Sequence, residues 1–243
     1  MTAPIRILSF NLRSGLGMNG QLDIQRQTEL IRSFAPDAAG LQEVRIRKEL
    51  PPEQGNMPAI MGEKTAMHFY FGRTIENDTF EYGIGILASH TSEWVEEMLL
   101  PQPDTMEQRT VLVVKIRKEN REFYMVNTHL VFEEDAGKVR LEQLQAITDL
   151  VREKGYVPAI LTGDLNAQPD EECIRYLSRN WGMTDLTEPT FPADRPEIRI
   201  DYVAWYPKDA FTVNKFEIVR EAEASDHRPV YIELYPAPNG VQV

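Results

Sequence analysis

The distribution of short apolar runs constrains this chain more than any other feature. Such runs recur at residues 5–10, 38–41, 68–72, 83–89, 109–116, 123–128, 157–161, 200–205, 213–219 and 230–234, with a weaker one at 94–100. Turn-forming triplets such as Glu76-Asn77-Asp78 and Lys118-Glu119-Asn120 separate several of them, so each reads as a strand. Helical periodicity is confined to a few segments. Residues 23–35 place Ile24, Thr28, Ile31 and Ala35 on one face, with Asp23 as N-cap and Pro36 as the stop. Residues 135–154 set Val139, Gln143, Ala146 or Ile147 and Leu150 along a stripe that ends at Gly155, and 170–177 reads as a short helix. The stretch 45–62 holds Pro51, Pro52, Gly55 and Pro58 and reads as a long loop with at most one helical turn. Pro189, Pro192 and Pro196 mark a second irregular stretch.

About nine to eleven strands with three or four helices fit two sheets better than one. Residues 5–41 form a strand, helix, strand unit, whereas 109–128 and 200–219 carry no crossover helix and read as antiparallel hairpins. The expected architecture is α/β, with two mixed, mainly antiparallel sheets packed face to face and helices outside. The 243 residues and 42% apolar content suit one domain over 1–243, with its core at 5–235 and a loose tail at 236–243.

Charge narrows the partners. Against 26 Lys and Arg stand 38 Asp and Glu, a formal net charge of -12, so the long-range field repels polyanions. Nucleic acid is thereby disfavoured, although a bound divalent cation reverses the local sign. Cys173 is the only cysteine, which excludes intramolecular disulfides and favours a reducing compartment. The first residues lack a signal-peptide pattern, and no run reaches the roughly 20 apolar residues of a membrane span. A cytoplasmic monomer is the default expectation.

Polar residues recur where an apolar run gives way to a loop. They are Asn11, Glu43, Asn127 with His129, Asp164 with Asn166, and Asp226 with His227. Carboxylates, carboxamides and imidazoles are the groups that a hard-cation, phosphate-handling site needs. In Gly163-Asp164-Leu165-Asn166 the two polar residues face one side of an extended segment, so both can enter one cavity. An Asx-turn that closes the strand explains the same residues equally well. Arg109 has a planar fork that suits a phosphate or carboxylate, with a surface salt bridge as the other reading. His68 and His90 read as structural, and Trp94, Trp181 and Trp205 as core or sheet-edge packing.

Six motifs occur here in one order: Ser9-Phe10-Asn11, Leu41-Gln42-Glu43-Val44, Asn127-Thr128-His129, Gly163-Asp164-Leu165-Asn166, Ile200-Asp201-Tyr202 and Ser225-Asp226-His227-Arg228-Pro229. In this order they resemble the endonuclease/exonuclease/phosphatase superfamily, which takes in DNase I, exonuclease III, inositol polyphosphate 5-phosphatases and neutral sphingomyelinases. The likeness spans positions 5 to 235. It is closer to the compact bacterial metal-dependent hydrolases through the stretches at 81–89 and 189–194.

The resemblance implies a four-layered α/β-β/α sandwich with the site at one rim. It implies Glu43 as the main carboxylate ligand of Mg²⁺ or Mn²⁺, with Asn11 beside it and Asp226 at or near the cation. It sets His227 against the scissile phosphate with Asp201 behind the ring. Asp164 activates or positions the water, and Asn166 and His129 hold phosphoryl oxygens. The general base stays open between Asp164 and His227.

Substrate is less constrained than chemistry. Net charge and the lack of an extended basic stripe favour a small phosphorylated compound or a phosphodiester head group over duplex DNA. Arg45-Ile46-Arg47-Lys48, and Arg195 with Arg199, read as solvated loop charges. A nuclease is the alternative enzyme. An inactive binding or scaffold module is the alternative of another class, weakened because every expected polar residue is present.

Overall fold

Strand β1 (Ile5–Asn11) runs parallel to β2 (Ala38–Arg47), and helix α1 (Ile24–Phe34) makes the crossover between them. The computed structural model describes residues 3–184 and 187–237. Asp23 caps α1 by accepting from the Arg26 N–H, and Ala35 ends it with φ of 41°, just ahead of Pro36. After β2 come α2 (Pro52–Gly55), α3 (Met57–Thr65), β3 (His68–Glu76), β4 (Phe80–Ala88), β5 (Thr91–Leu99), β6 (Thr110–Lys118) and β7 (Arg121–His129). Then follow α4 (Gly137–Lys154), β8 (Ala159–Asp164), α5 (Glu172–Asn180), β9 (Gly182–Met183), β10 (Asp201–Tyr206), β11 (Phe211–Ile218) and β12 (Val230–Pro236).

The strands form two six-stranded mixed sheets, ordered β11-β12-β1-β2-β4-β3 and β5-β6-β7-β8-β10-β9. Alternation along each strand distributes its side chains between two cores. Ile7, Ile86, Leu112, Met125, Ile160 and Ile232 fill the space between the sheets. Leu8, Ile31, Met57 and Met61 pack under α1 and α3 on one outer face. Val113, Leu144, Ile147 and Ile174 pack under α4 and α5 on the other. A strand buried on both faces, such as β1, therefore reads as a continuous apolar run.

Four local expectations change. The stretch 45–62 holds the end of β2, where Arg45 and Arg47 are half-buried, all of α2 and the first part of α3, because Pro52 and Pro58 occupy first-turn positions where a missing N–H costs nothing, and the Asn56 side chain caps α3 by accepting from Ala59 N at 3.0 Å. Residues 200–219 are no hairpin. β10 pairs with β8 and β9 in the second sheet, while β11 pairs with β12 in the first. Pro236 belongs to β12, in register with Phe211, and residues 238–243 of the expected tail lie outside the described residues. Arg199 is buried rather than solvated, donating from Nε to the Asp201 carbonyl at 2.7 Å with its guanidinium over the Tyr202 ring. A buried cation keeps its charge only when such partners replace water.

Candidate functional site

Parallel pairing brings strand exits together. In the first sheet Asn11, the last residue of β1, is in register with Gln42 of β2. In the second sheet His129, the last of β7, is in register with Asp164, the last of β8, and Asp201 opens the antiparallel β10 opposite Asp164. Both sets of exits share one rim of the sandwich. There an open pocket of about 310 Å³ is lined by Glu43, Arg109, His129, Asp164, Asn166, Asp226 and His227. Asn11 and Asp201 complete the set of expected residues by direct hydrogen bonds to members of this lining.

Glu43 reaches the pocket through a break in strand register. The pairing of β2 with β4 shifts between Leu41 and Val44, and Glu43 has φ of 55°. A left-handed conformation costs a non-glycine residue about 1–2 kcal/mol. The bulge separates the duties of neighbours, since Gln42 points between the sheets to Asn127 while Glu43 lines the pocket. Burial raises the Glu43 carboxyl above its ordinary pKa, the Asn11 hydrogen bond opposes this, and the nearby Asp226 charge adds to the rise. Two carboxylates that repel each other in a pocket suit a divalent cation.

Asp164 is the junction of the site. Its Oδ1 accepts from the Asn166 N–H at 3.0 Å, an Asx-turn closed by Asn166 at φ of 48°. Its Oδ2 accepts from Asn11 Nδ2 at 2.9 Å and faces the Nε2 atoms of His129 at 3.5 Å and His227 at 3.7 Å. The turn and the pocket wall are thus two uses of one side chain. Burial pushes the Asp164 carboxyl up to about 7, against the opposing charge of His227.

His227 lies between two carboxylates, with Nδ1 donating to Asp201 Oδ2 at 3.0 Å. Burial alone lowers an imidazole pKa, but here Asp201 and Asp164 outweigh it and raise His227 to about 10. The ring tilts against Phe191, centroids 4.8 Å apart. Ser225 holds the preceding turn by donating from Oγ to the Asn11 carbonyl at 2.7 Å. His129 goes the opposite way. Burial, Arg109 and His227 hold it well below its ordinary pKa, so it is neutral, and its buried Nδ1 has no hydrogen-bond partner among the described residues.

Asp164, Asp201 and His227 lie close enough to share an ion. Their hydrogen bond and opposite charges already account for that proximity; Glu43 and Asp226, two further carboxylates that line the pocket, could also hold a cation. Asn11 donates its Nδ2 to both Glu43 and Asp164, at 3.1 and 2.9 Å, while its Oδ1 accepts from the Arg13 N–H. In this orientation it aligns the two carboxylates. Asp226 is half met by Arg13, whose Nε lies 3.2 Å from Oδ2.

Several residues escaped the sequence reading. Arg13 emerged only as a neighbour of Asn11, and Tyr82, Glu107, Phe132 and Phe191 line the pocket unannounced. Tyr82 and Phe191 sit inside the stretches that carry the bacterial likeness, and Glu107 sits two residues before Arg109. Arg109 itself is buried at 4% exposure, pairs with Glu107 at 2.8 Å, and has a buried Nε with no hydrogen-bond partner among the described residues. Asn127, by contrast, faces the space between the sheets and does not line the pocket.

Two face-to-face mixed sheets with helices outside define the DNase I-like architecture. The chain belongs to the Endonuclease/Exonuclease/phosphatase family, whose model matches residues 8–227, a family of phosphoesterases and nucleases. A structure of an endonuclease/exonuclease/phosphatase from Beutenbergia cavernae superposes with a TM-score of 0.80 at 23% identity, covering 97% of this chain and 72% of that one. A mannosyl-6-phosphatase from Bacteroides thetaiotaomicron gives a TM-score of 0.71 at 20% identity, covering 95% and 99% of the two chains. Protein angel of Drosophila melanogaster is 32% identical over 74 residues, which is 30% of this chain and only 21% of that protein. No helix among the described residues is long and apolar enough to cross a membrane.

Proposed function

We propose that this chain is a divalent-metal-dependent phosphoesterase that hydrolyses a phosphomonoester or phosphodiester of a small molecule or head group. The observation that carries the reading is the convergence on Asp164 Oδ2 of Asn11, His129 and His227 inside an open polar pocket. Mg²⁺ or Mn²⁺ held by Glu43 and Asp226 would supply charge neutralisation for the phosphoryl oxygens.

The protein's own groups divide the proton chemistry. His227 is held protonated by Asp201 and Asp164, so it has no lone pair to offer and acts as donor. Asp164, raised to about 7, has the basicity to take a proton from water near neutral pH. Water attacks phosphorus, Asp164 accepts its proton, the bond from phosphorus to the leaving oxygen breaks, and His227 protonates that oxygen. Asp201 holds the His227 ring from behind. Asn166 commits one amide hydrogen to the Leu130 carbonyl at 3.0 Å, which leaves the second for a phosphoryl oxygen. Arg109, buried with an Nε unpartnered among the described residues, and His129 donate to the others.

A single domain over 1–243 with its core at 5–235, acting as a monomer in the cytoplasm, is part of the same reading. Its support is a pocket built from both sheets and a lone buried Cys173. The test is a panel of phosphomonoesters, phosphodiesters, nucleotides, phospholipids and supercoiled plasmid, each with Mg²⁺ and with Mn²⁺. Turnover of a small ester that EDTA abolishes is expected. Plasmid nicking faster than any small ester is cleaved would replace this reading with a nuclease, and no turnover at all would leave a binding module.

A further inference from the structure

His227 and the carboxylate behind it come from different sheets. Asp201 opens β10 in the second sheet, whereas His227 stands in the loop ahead of β12, a strand of the first. Their hydrogen bond therefore depends on whatever fixes that loop to the start of β10. The segment 190–193 makes this connection. The Thr190 carbonyl accepts from the Arg228 N–H at 2.8 Å, the Ala193 N–H donates to the Asp226 carbonyl at 2.7 Å, and Arg228 Nε donates to the Ala193 carbonyl at 2.7 Å. On its other side the fully buried Thr190 accepts through Oγ1 from the N–H groups of Ile200 at 3.2 Å and Asp201 at 3.3 Å.

Phe191 adds a second kind of restraint. Its main chain is locked to Ile198 by reciprocal hydrogen bonds of 3.0 Å each. Its ring lies against the His227 imidazole at the wall of the pocket, with centroids 4.8 Å apart. The bond from Nδ1 to Asp201 holds one edge of the imidazole and leaves the ring free to tip about that edge. A contact on the face removes this freedom, and a displacement of about 1 Å near a reacting centre costs up to about 10²-fold in rate. We propose that Thr190 and Phe191 are positioning residues for His227, Thr190 fixing the backbone of Asp201 against the His227 loop and Phe191 holding the imidazole face, so that together they aim Nε2 at the leaving oxygen. This rests on the phosphoesterase reading and adds to it two residues that act through the proton donor.

The test reads leaving-group dependence. p-Nitrophenyl phosphate and bis(p-nitrophenyl) phosphate release an oxygen that departs without a proton, whereas glycerol 3-phosphate and glycerophosphocholine release an alkoxide that needs one. With Mg²⁺, Phe191→Leu and Thr190→Val should each lower kcat for the alkyl ester about tenfold, with KM and the nitrophenyl ester changed by less than about twofold. Thr190→Ser keeps the hydroxyl and should keep the wild-type kcat. On a His227→Ala background neither substitution should cost more, since both act through that ring. Crystals of the variants give a readout without turnover. The imidazole should leave its orientation, with Nδ1 3.0 Å from Asp201 Oδ2, in Phe191→Leu and Thr190→Val, and keep it in Thr190→Ser. Equal losses for alkyl and nitrophenyl esters, or losses that persist on the His227→Ala background, would overturn the assignment and leave the segment a role in stability alone. Wild-type protein that turns over none of these esters removes the small-ester reading; the orientation of the imidazole then decides by itself, and an unmoved ring in both variants overturns the positioning role.

Discussion

Gln42 Nε2 donates to Asn127 Oδ1 at 2.7 Å across the interface between the two sheets. Asn127 in turn donates to the carbonyls of Leu41 at 2.8 Å and Gly85 at 2.9 Å, and accepts from Thr162 Oγ1 at 3.0 Å. One fully buried carboxamide thus spends its whole hydrogen-bonding capacity on joining the sheets behind Glu43. Asn127→Ala should destabilise the fold by about 3 kcal/mol, because it strands several buried polar groups at once. Urea unfolding measures this, and a loss below about 0.5 kcal/mol would show that the seam is held by packing alone.

At the opposite ends of β1 and β2 a buried Asp37 meets Lys118 Nζ at 2.6 Å, the Arg6 N–H at 2.7 Å and His90 Nε2 at 2.7 Å. Burial raises the Asp37 pKa, but these partners outweigh it and hold the carboxyl below its ordinary value. A depressed folded-state pKa gives stability that is complete above the unfolded value, about 3.9, and is lost as pH falls through the folded one. Stability should therefore decline below about pH 4, and Asp37→Asn should flatten that limb while lowering stability at neutral pH. Unfolding midpoints from pH 7 to 2 decide it; parallel curves for both proteins would remove Asp37 from the acid transition.

His227→Ala and Asp164→Asn should each lower kcat by at least ~10²-fold, the usual cost of losing a positioned acid or base. Asp201→Asn keeps the shape behind the ring but removes the charge that favours imidazolium, so it should cost less than His227→Ala. The double variant of His227 and Asp201 should be little worse than His227→Ala, since Asp201 acts through that ring. Additive losses would assign Asp201 a separate role.

Glu43→Gln should raise the Mg²⁺ or Mn²⁺ concentration needed for half-maximal activity at least tenfold, with little effect on folding. The scale is that of losing an oriented ligand in a site of few carboxylates. Isothermal titration with Mn²⁺ checks the same point without turnover. An unchanged titration would take Glu43 out of the cation's ligands.

The residue types of the site were legible because strand exits are local events. An apolar run ends, a polar residue follows, and Asn11, Glu43, His129 and Asp164 can each be picked out in this way, whereas His227 stands three residues ahead of β12 and enters the site from the loop before that strand. The division between Gln42 and Glu43 was not legible, since it depends on a bulge set by pairing with β4. Nor was the buried state of Arg199, which depends on rings contributed by Tyr202 of β10 and Phe216 of β11.

By itself the sequence determined which segments are strands, which polar side chains stand at their exits, and the family's order of motifs, because periodicity and turn chemistry act over a few residues. The tertiary structure alone decided that β10 and β11 part into different sheets and that Asn127 faces the seam. It also decided that Asp201 meets Asp164 in register behind His227, and that Phe132 and Glu107 both line the pocket. Pairing register and sheet-on-sheet packing join residues far apart in the chain, and no local pattern encodes them.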